Sequence, residues 1–150
     1  MELVFSRREM AKAMQMVSRV AGKPNILPVL SHVLISAGCD PLRDTSKNSN
    51  GDRIYVAATD LEVGIRTGIP SQIAEGGAVA LPARTFASII NALAEEEVKL
   101  IASGDRARIY CDKGEFKMVG MAAHEFPSMM GETGQDAQLE LEGAPEDREE

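Results

Sequence analysis

The chain has 150 residues, 44% of them hydrophobic and 26% charged. That balance excludes wholesale disorder and collagen-like structure, and the length allows one domain, or one domain with an appendage, burying about 68–70% of the surface its unfolded chain exposes. The formal net charge of −7 is uneven: eight of the 23 acids but one of the 16 bases, Arg148, fall in residues 131–150, leaving 15 of each over residues 1–130, so the overall acidity does not exclude a basic face on the body of the chain.

Residues 2–5 are apolar and read as a strand. Ser6-Arg7-Arg8-Glu9 matches a capping box, in which Ser6 accepts from the Glu9 amide and the Glu9 side chain reaches back. A helix is predicted to follow, with Met10, Ala13, Met14, Val17 and Ala21 at helical spacing, and Ala21-Gly22-Lys23-Pro24 stops it. Residues 29–37, apolar and partly β-branched, predict a buried strand. Residues 38–51 are polar, with Pro41, Asn48 and Asn50, and read as a long exposed loop. Residues 53–59 alternate, with Ile54, Val56 and Ala58 on one face. Asp60-Leu61-Glu62 is a turn, and residues 63–67 form a second short strand.

The order then recurs. Residues 77–81 predict a strand, Pro82 suits the first turn of a helix, and Phe86, Ile89, Ile90 and Leu93 supply that helix with an apolar stripe. Residues 97–103, 106–112 and 115–121 predict three strands joined at Gly104-Asp105 and at Asp112-Lys113-Gly114. The chain therefore reads β-α-β-β-β twice. Two such units make an α+β fold, with two helices on one face of antiparallel sheets. The composition changes after Phe126-Pro127, and residues 131–150 read as a solvated acidic tail or the start of a second domain.

On the first helix Arg8, Lys12, Gln15 and Arg19 fall within about 60° of one another, opposite the Met14/Val17 stripe. With Lys23 just beyond the helix end, this face suits a phosphate backbone; a plain solvated face has the same pattern. The second helix opposes its core stripe with Arg84, Ser88, Asn91 and Glu95. Signs of catalysis are weak. His32 and His124 have no partner at a recognisable spacing, Asp60 and Glu62 read as turn residues, and Glu95-Glu96-Glu97 reads as a solvated helix end. The glycines form neither a phosphate loop nor a dinucleotide fingerprint. Cys39 and Cys111 form no CxxC pair and lack an evident base, which fits a reducing compartment and gives no zinc site. No catalytic residue, metal or cofactor is expected. No apolar stretch approaches the roughly 20 residues that span a bilayer, and the first residues lack the apolar run of a signal peptide, so neither membrane insertion nor secretion is expected.

Four short stretches together resemble one family. Leu27-Pro28-Val29-Leu30, Thr59-Asp60-Leu61-Glu62, Leu81-Pro82-Ala83-Arg84 and Glu125-Phe126-Pro127 follow the order and approximate spacing of the first domain of the bacterial DNA sliding clamps, the beta subunits of DNA polymerase III. The resemblance covers about residues 1–130. It implies a non-catalytic clamp fold in which three similar domains per protomer pair head to tail as a homodimeric ring around duplex DNA, with helices lining the hole. It also implies sequence-independent contact with double-stranded DNA, a cytoplasmic, nucleoid-associated location, and a replicative polymerase and clamp loader as partners through two further domains. Lys23 matches the family's DNA-contacting basic position before proline, and Arg84 matches another; Arg8, Lys12 and Arg19 rest on the helical wheel. Residues 115–119 match the edge strand that pairs with the partner's third domain. Phe116 and Met118 project together from that strand, either into the seam or into the domain's own core. Two departures stand out: residues 38–51 exceed the family's usual hairpin, and residues 143–150 do not continue its pattern. A stand-alone interaction module with an acidic tail for a basic partner, and a small hydrolase using Asp60, Glu62 or His124, are the alternatives.

Overall fold

Hydrophobic periodicity decides the architecture of the computed structural model, which describes residues 1–21, 27–38, 53–112 and 114–127. Strand β1 (Glu2–Ser6) leads into helix α1 (Arg7–Ala21). A 3-10 turn (Pro28–Ser31) precedes β2 (His32–Ala37), β3 (Arg53–Thr59) and β4 (Gly64–Glu75). The second unit is β5 (Gly77–Pro82), helix α2 (Ala83–Ala92), β6 (Glu97–Ser103), β7 (Arg106–Cys111) and β8 (Gly114–Val119). The two-residue β9 (Met121–Ala122) and a 3-10 turn (Ala123–Glu125) close the described chain.

The strands hydrogen-bond in the order β8-β7-β6-β1-β4-β3-β2-β5-β9, every neighbouring pair antiparallel. Both helices pack side by side on one face, so the predicted repeat and the α+β class hold. Strand β4 serves two sheets: residues 64–70 pair with β3, and residues 71–75 pair with β1. The opening strands are exchanged between units. β1 of the first unit pairs with β6 of the second, and β5 of the second pairs with β2 of the first.

The core lies between the helices and the sheets. Met10, Met14 and Val17 from α1 meet Phe86 and Ile90 from α2 over Leu3, Phe5, Ile54, Val56, Val79 and Leu81, all at most 2% exposed. A 15-residue helix alone is marginal in water. Burying its three large side chains, each contributing about 1.5–3 kcal/mol, stabilises α1 through its packing. On the opposite face of the sheet Phe126 seals a smaller cluster with Leu34, Ala57 and Ala80.

Three predicted strands differ in extent by two or more residues at one end. Residues 29–31 are not strand: the Ser31 hydroxyl donates to the Pro28 carbonyl at 2.7 Å and His32 Nδ1 lies 2.9 Å from the same oxygen, which folds them into a turn. The strand predicted over residues 63–67 continues to Glu75, past Gly68, where the Tyr55 ring occupies the space a Cβ would need, and past Pro70. The strand predicted over residues 115–121 breaks at Gly120, whose amide donates to the Asp105 carbonyl at 2.7 Å; a Cβ there would collide with the Ala80 carbonyl oxygen. The predicted helix stop with Lys23, nearly all of the 38–51 loop and the acidic tail lie outside the described residues.

Candidate nucleic-acid interface

Helix α1 starts at Ser6, whose hydroxyl accepts from the Glu9 N–H at 3.3 Å, half of the expected capping box. With Met10, Ala13, Met14, Val17 and Ala21 all buried, the helix turns Arg8, Lys12, Gln15 and Arg19 to solvent, and all four are exposed. On α2 the burial of Phe86 and Ile90 leaves Arg84, Ser88 and Asn91 exposed in the same way. Glu95 stands beyond the α2 end, half-buried, and its Oε2 accepts from the Asp112 N–H at 3.1 Å.

Arg7, not singled out from the sequence, positions the two helices. Its backbone N–H donates to the Glu96 carbonyl at 2.9 Å, and its guanidinium donates to the Ile90 carbonyl at 3.5 Å. The start of α1 is thereby tied to the end of α2, and the helices run antiparallel. A cation among the last carbonyls of α2 also complements that helix's dipole. The available signal was its place as the first helical residue, directly after the cap.

A groove between the helices is lined by Arg7, Arg8, Lys12, Gln15, Ser18 and Asn91, with Ala11, Met14 and Ala87 at its base. Among the described residues no carboxylate lines it. It offers guanidinium, ammonium, amide and hydroxyl donors, a set that suits phosphate oxygens. Arg19 and Arg84 are not in the groove lining; the antiparallel packing carries Arg84 toward the α1 end that bears Arg19. At the other end, the hollow lined by Ser6, Arg7, Arg8, Glu9, Glu95 and Glu96 mixes both signs and suits an anion less well.

Of the residues weighed for catalysis, Asp60 is engaged in a turn. Asp60 Oδ1 accepts from the Glu62 and Val63 amides at 2.9 and 2.8 Å, and Thr59 Oγ1 accepts from the Leu61 amide at 3.0 Å. These bonds fix the predicted turn with Leu61 at φ 79°. Among the described residues there is no group of three His, Cys, Asp or Glu side chains placed to hold a metal. No helix among the described residues is long and apolar enough to cross a membrane.

Among the described residues strand β8 lies at one end of the strand order and pairs only with β7. Its two singled-out residues differ: Phe116 is 38% exposed, whereas Met118 is 6% exposed and belongs to the core cluster. On the opposite side of the sheet the Tyr110 side chain, and then the Glu115 carboxylate, hold the Arg108 guanidinium further in its charged form.

Residues 1–130 match the family described as DNA polymerase III beta subunit, N-terminal domain. The chain is 31% identical over 130 residues to a beta sliding clamp of Chlamydia muridarum, covering 86% of this chain and 32% of that protein. It is 32% identical over 132 residues to one from Caulobacter vibrioides, with the same coverage. A solved DNA polymerase sliding clamp from Caulobacter crescentus superposes with a TM-score of 0.73 at 32% identity, covering 86% of this chain and 32% of that one. The chain thus spans about a third of the length of the curated relatives it matches.

Proposed function

The chain belongs to the DNA polymerase III beta subunit, N-terminal domain family, and from that premise we propose that it acts as a domain of a sliding clamp, a non-catalytic processivity factor. Residues 1–130 form the clamp domain, and residues 131–150 are an acidic tail or the beginning of a second domain. In a head-to-tail ring of three-domain protomers, the α1/α2 face lines the hole and meets duplex DNA in the cytoplasm, at the nucleoid. Arg8, Lys12, Arg19, Lys23 and Arg84 contact phosphates. A sparse set of such contacts holds the ring on DNA without distinguishing base pairs, so it slides. Encirclement keeps the tethered polymerase at high effective concentration beside the primer end. Phe116 and Met118 belong to the edge strand that meets the partner protomer. The polymerase and clamp loader bind the further domains.

The single observation that carries this reading is the basic, carboxylate-free groove between two antiparallel helices on one side of the fold. Fluorescence anisotropy of this chain on two duplexes of unrelated sequence tests it. Weak, equal binding to both that disappears as salt rises is expected, with dissociation constants of about 10⁻⁴–10⁻⁶ M at physiological salt. Tight binding to only one duplex would overturn it.

A further inference from the structure

Strand β8 carries opposite charges two residues apart, Glu115 and Lys117, on the face of the sheet away from the helices. Lys117 stands directly opposite Arg108 on β7, a like-charge cross-strand pair. Glu115 turns toward the same arginine, with its Oε2 3.7 Å from Arg108 Nε. One carboxylate therefore faces two cations. Beyond β8 the sheet has no further strand among the described residues, and Phe116 and Val119 stand 38% and 62% exposed along it. The backbone groups of such an edge template another strand.

We propose that β8 pairs antiparallel with β8 of a second copy of this chain, about a two-fold axis at Phe116. Parity and charge select that register. When two copies join into one sheet with their helices on the same side, facing residues must lie on the same face, so the axis falls at a residue and not between two. An axis at Glu115 sets carboxylate against carboxylate, and one at Lys117 sets ammonium against ammonium. The axis at Phe116 sets each Glu115 opposite Lys117 of the second copy and brings the two Phe116 rings together on the helix side. It supplies each Lys117 with a carboxylate opposite its charge. A lone edge lysine works against strand addition; a lysine matched by a glutamate on the same face selects one register instead.

One six-residue strand buries little area, so the pairing is weak and concentration-dependent. It does not require the clamp reading. If the chain does form rings, self-pairing occupies the edge that would meet the partner protomer's further domain, and the two assemblies exclude each other.

Sedimentation equilibrium of the 150-residue chain from about 10 μM to 1 mM tests the proposal, in about 0.15 M salt, where exposed charges more than about 8 Å apart are largely screened. A monomer–dimer equilibrium is expected. Glu115→Lys and Lys117→Glu should each weaken dimerisation about tenfold or more, because each replaces two opposite-charge pairs with two like-charge pairs. An equimolar mixture of the two single variants should form a heterodimer, and the double reversal should return dimerisation to the original strength. The mixture separates pairing from any loss of fold, since a misfolded variant would not be rescued. A monomer throughout the range, single variants that dimerise like the parent, or a mixture that stays monomeric would each overturn the proposal. No DNA or further domain enters the measurement, so the outcome leaves the clamp reading to its own test.

Discussion

Arg8 and Arg84 occupy one position in the two halves of the fold: each is the second residue of its helix, 76 places apart, the same separation as the buried pairs Met10/Phe86 and Met14/Ile90. The antiparallel helices carry them toward opposite ends of one exposed face. Each replaced by alanine should weaken duplex binding by a similar factor. Each should also reduce the slope of log K against log salt by about one, as expected for loss of one phosphate contact. The two losses should add, because the sites share no partner. Anisotropy titrations at four salt concentrations would measure this; an effect of only one arginine would contradict a two-fold-related pair of contacts.

Removing residues 131–150 takes away a net charge of −7. Duplex binding by the shortened chain should tighten, most at low salt. Equal affinity with and without the segment, at every ionic strength, would show that it does not compete for the basic groove.

Gly120→Ala should destabilise the domain by about 3 kcal/mol, because the new methyl meets the Ala80 carbonyl oxygen, a backbone atom that cannot turn aside. Urea unfolding would show a lower midpoint at unchanged slope. Gly114→Ala is the control, since a Cβ there meets nothing within 4 Å.

Leu61 sits in the left-handed region at φ 79° and is 61% exposed. Leu61→Gly relieves a backbone cost of about 1–2 kcal/mol at the expense of glycine's greater freedom in the unfolded chain. A net stabilisation of about 0.5–1 kcal/mol is expected. Asp60→Ala should cost about 1–2 kcal/mol, because two amides lose their acceptor. Thermal melts of the two variants should move in opposite directions.

Met118→Ala should cost about 2–5 kcal/mol as a core truncation, and Phe116→Ala under about 1 kcal/mol as an edge truncation. Equal losses by urea unfolding would place both side chains in the same environment.

Much of this architecture is legible in the sequence because it rests on period. Met10, Met14 and Val17 at helical spacing, and Ile54, Val56 and Ala58 at strand spacing, dictate which faces are buried. The same wheel exposes Arg8, Lys12 and Arg19. What is not legible depends on tertiary contact. Gly68 and Pro70 look like strand breakers, yet Gly68 lies under the Tyr55 ring within a pairing that spans both residues. Gly120 resembles any strand glycine until Ala80 is brought beside it by the second sheet. Arg7 looks like one more base at a helix start, and its role appears only once the α2 carbonyls are placed next to it. Alternation sends Phe116 and Met118 to one face, but their different depths depend on how far the core extends beneath the edge.

The exchange of opening strands bears on how such a fold could have begun. A lone β-α-β-β-β unit would present β2 without its β5 neighbour and leave one side of β1 open, since each first strand completes the sheet of the other half. It would be satisfied only by an identical unit donating the same strand in return. A half-length ancestor would therefore have been an obligate swapped pair, and fusing two genes would have turned an intermolecular trade into a single chain. For the present protein, a fragment ending near Gly76 should neither fold by itself nor melt as a separate step.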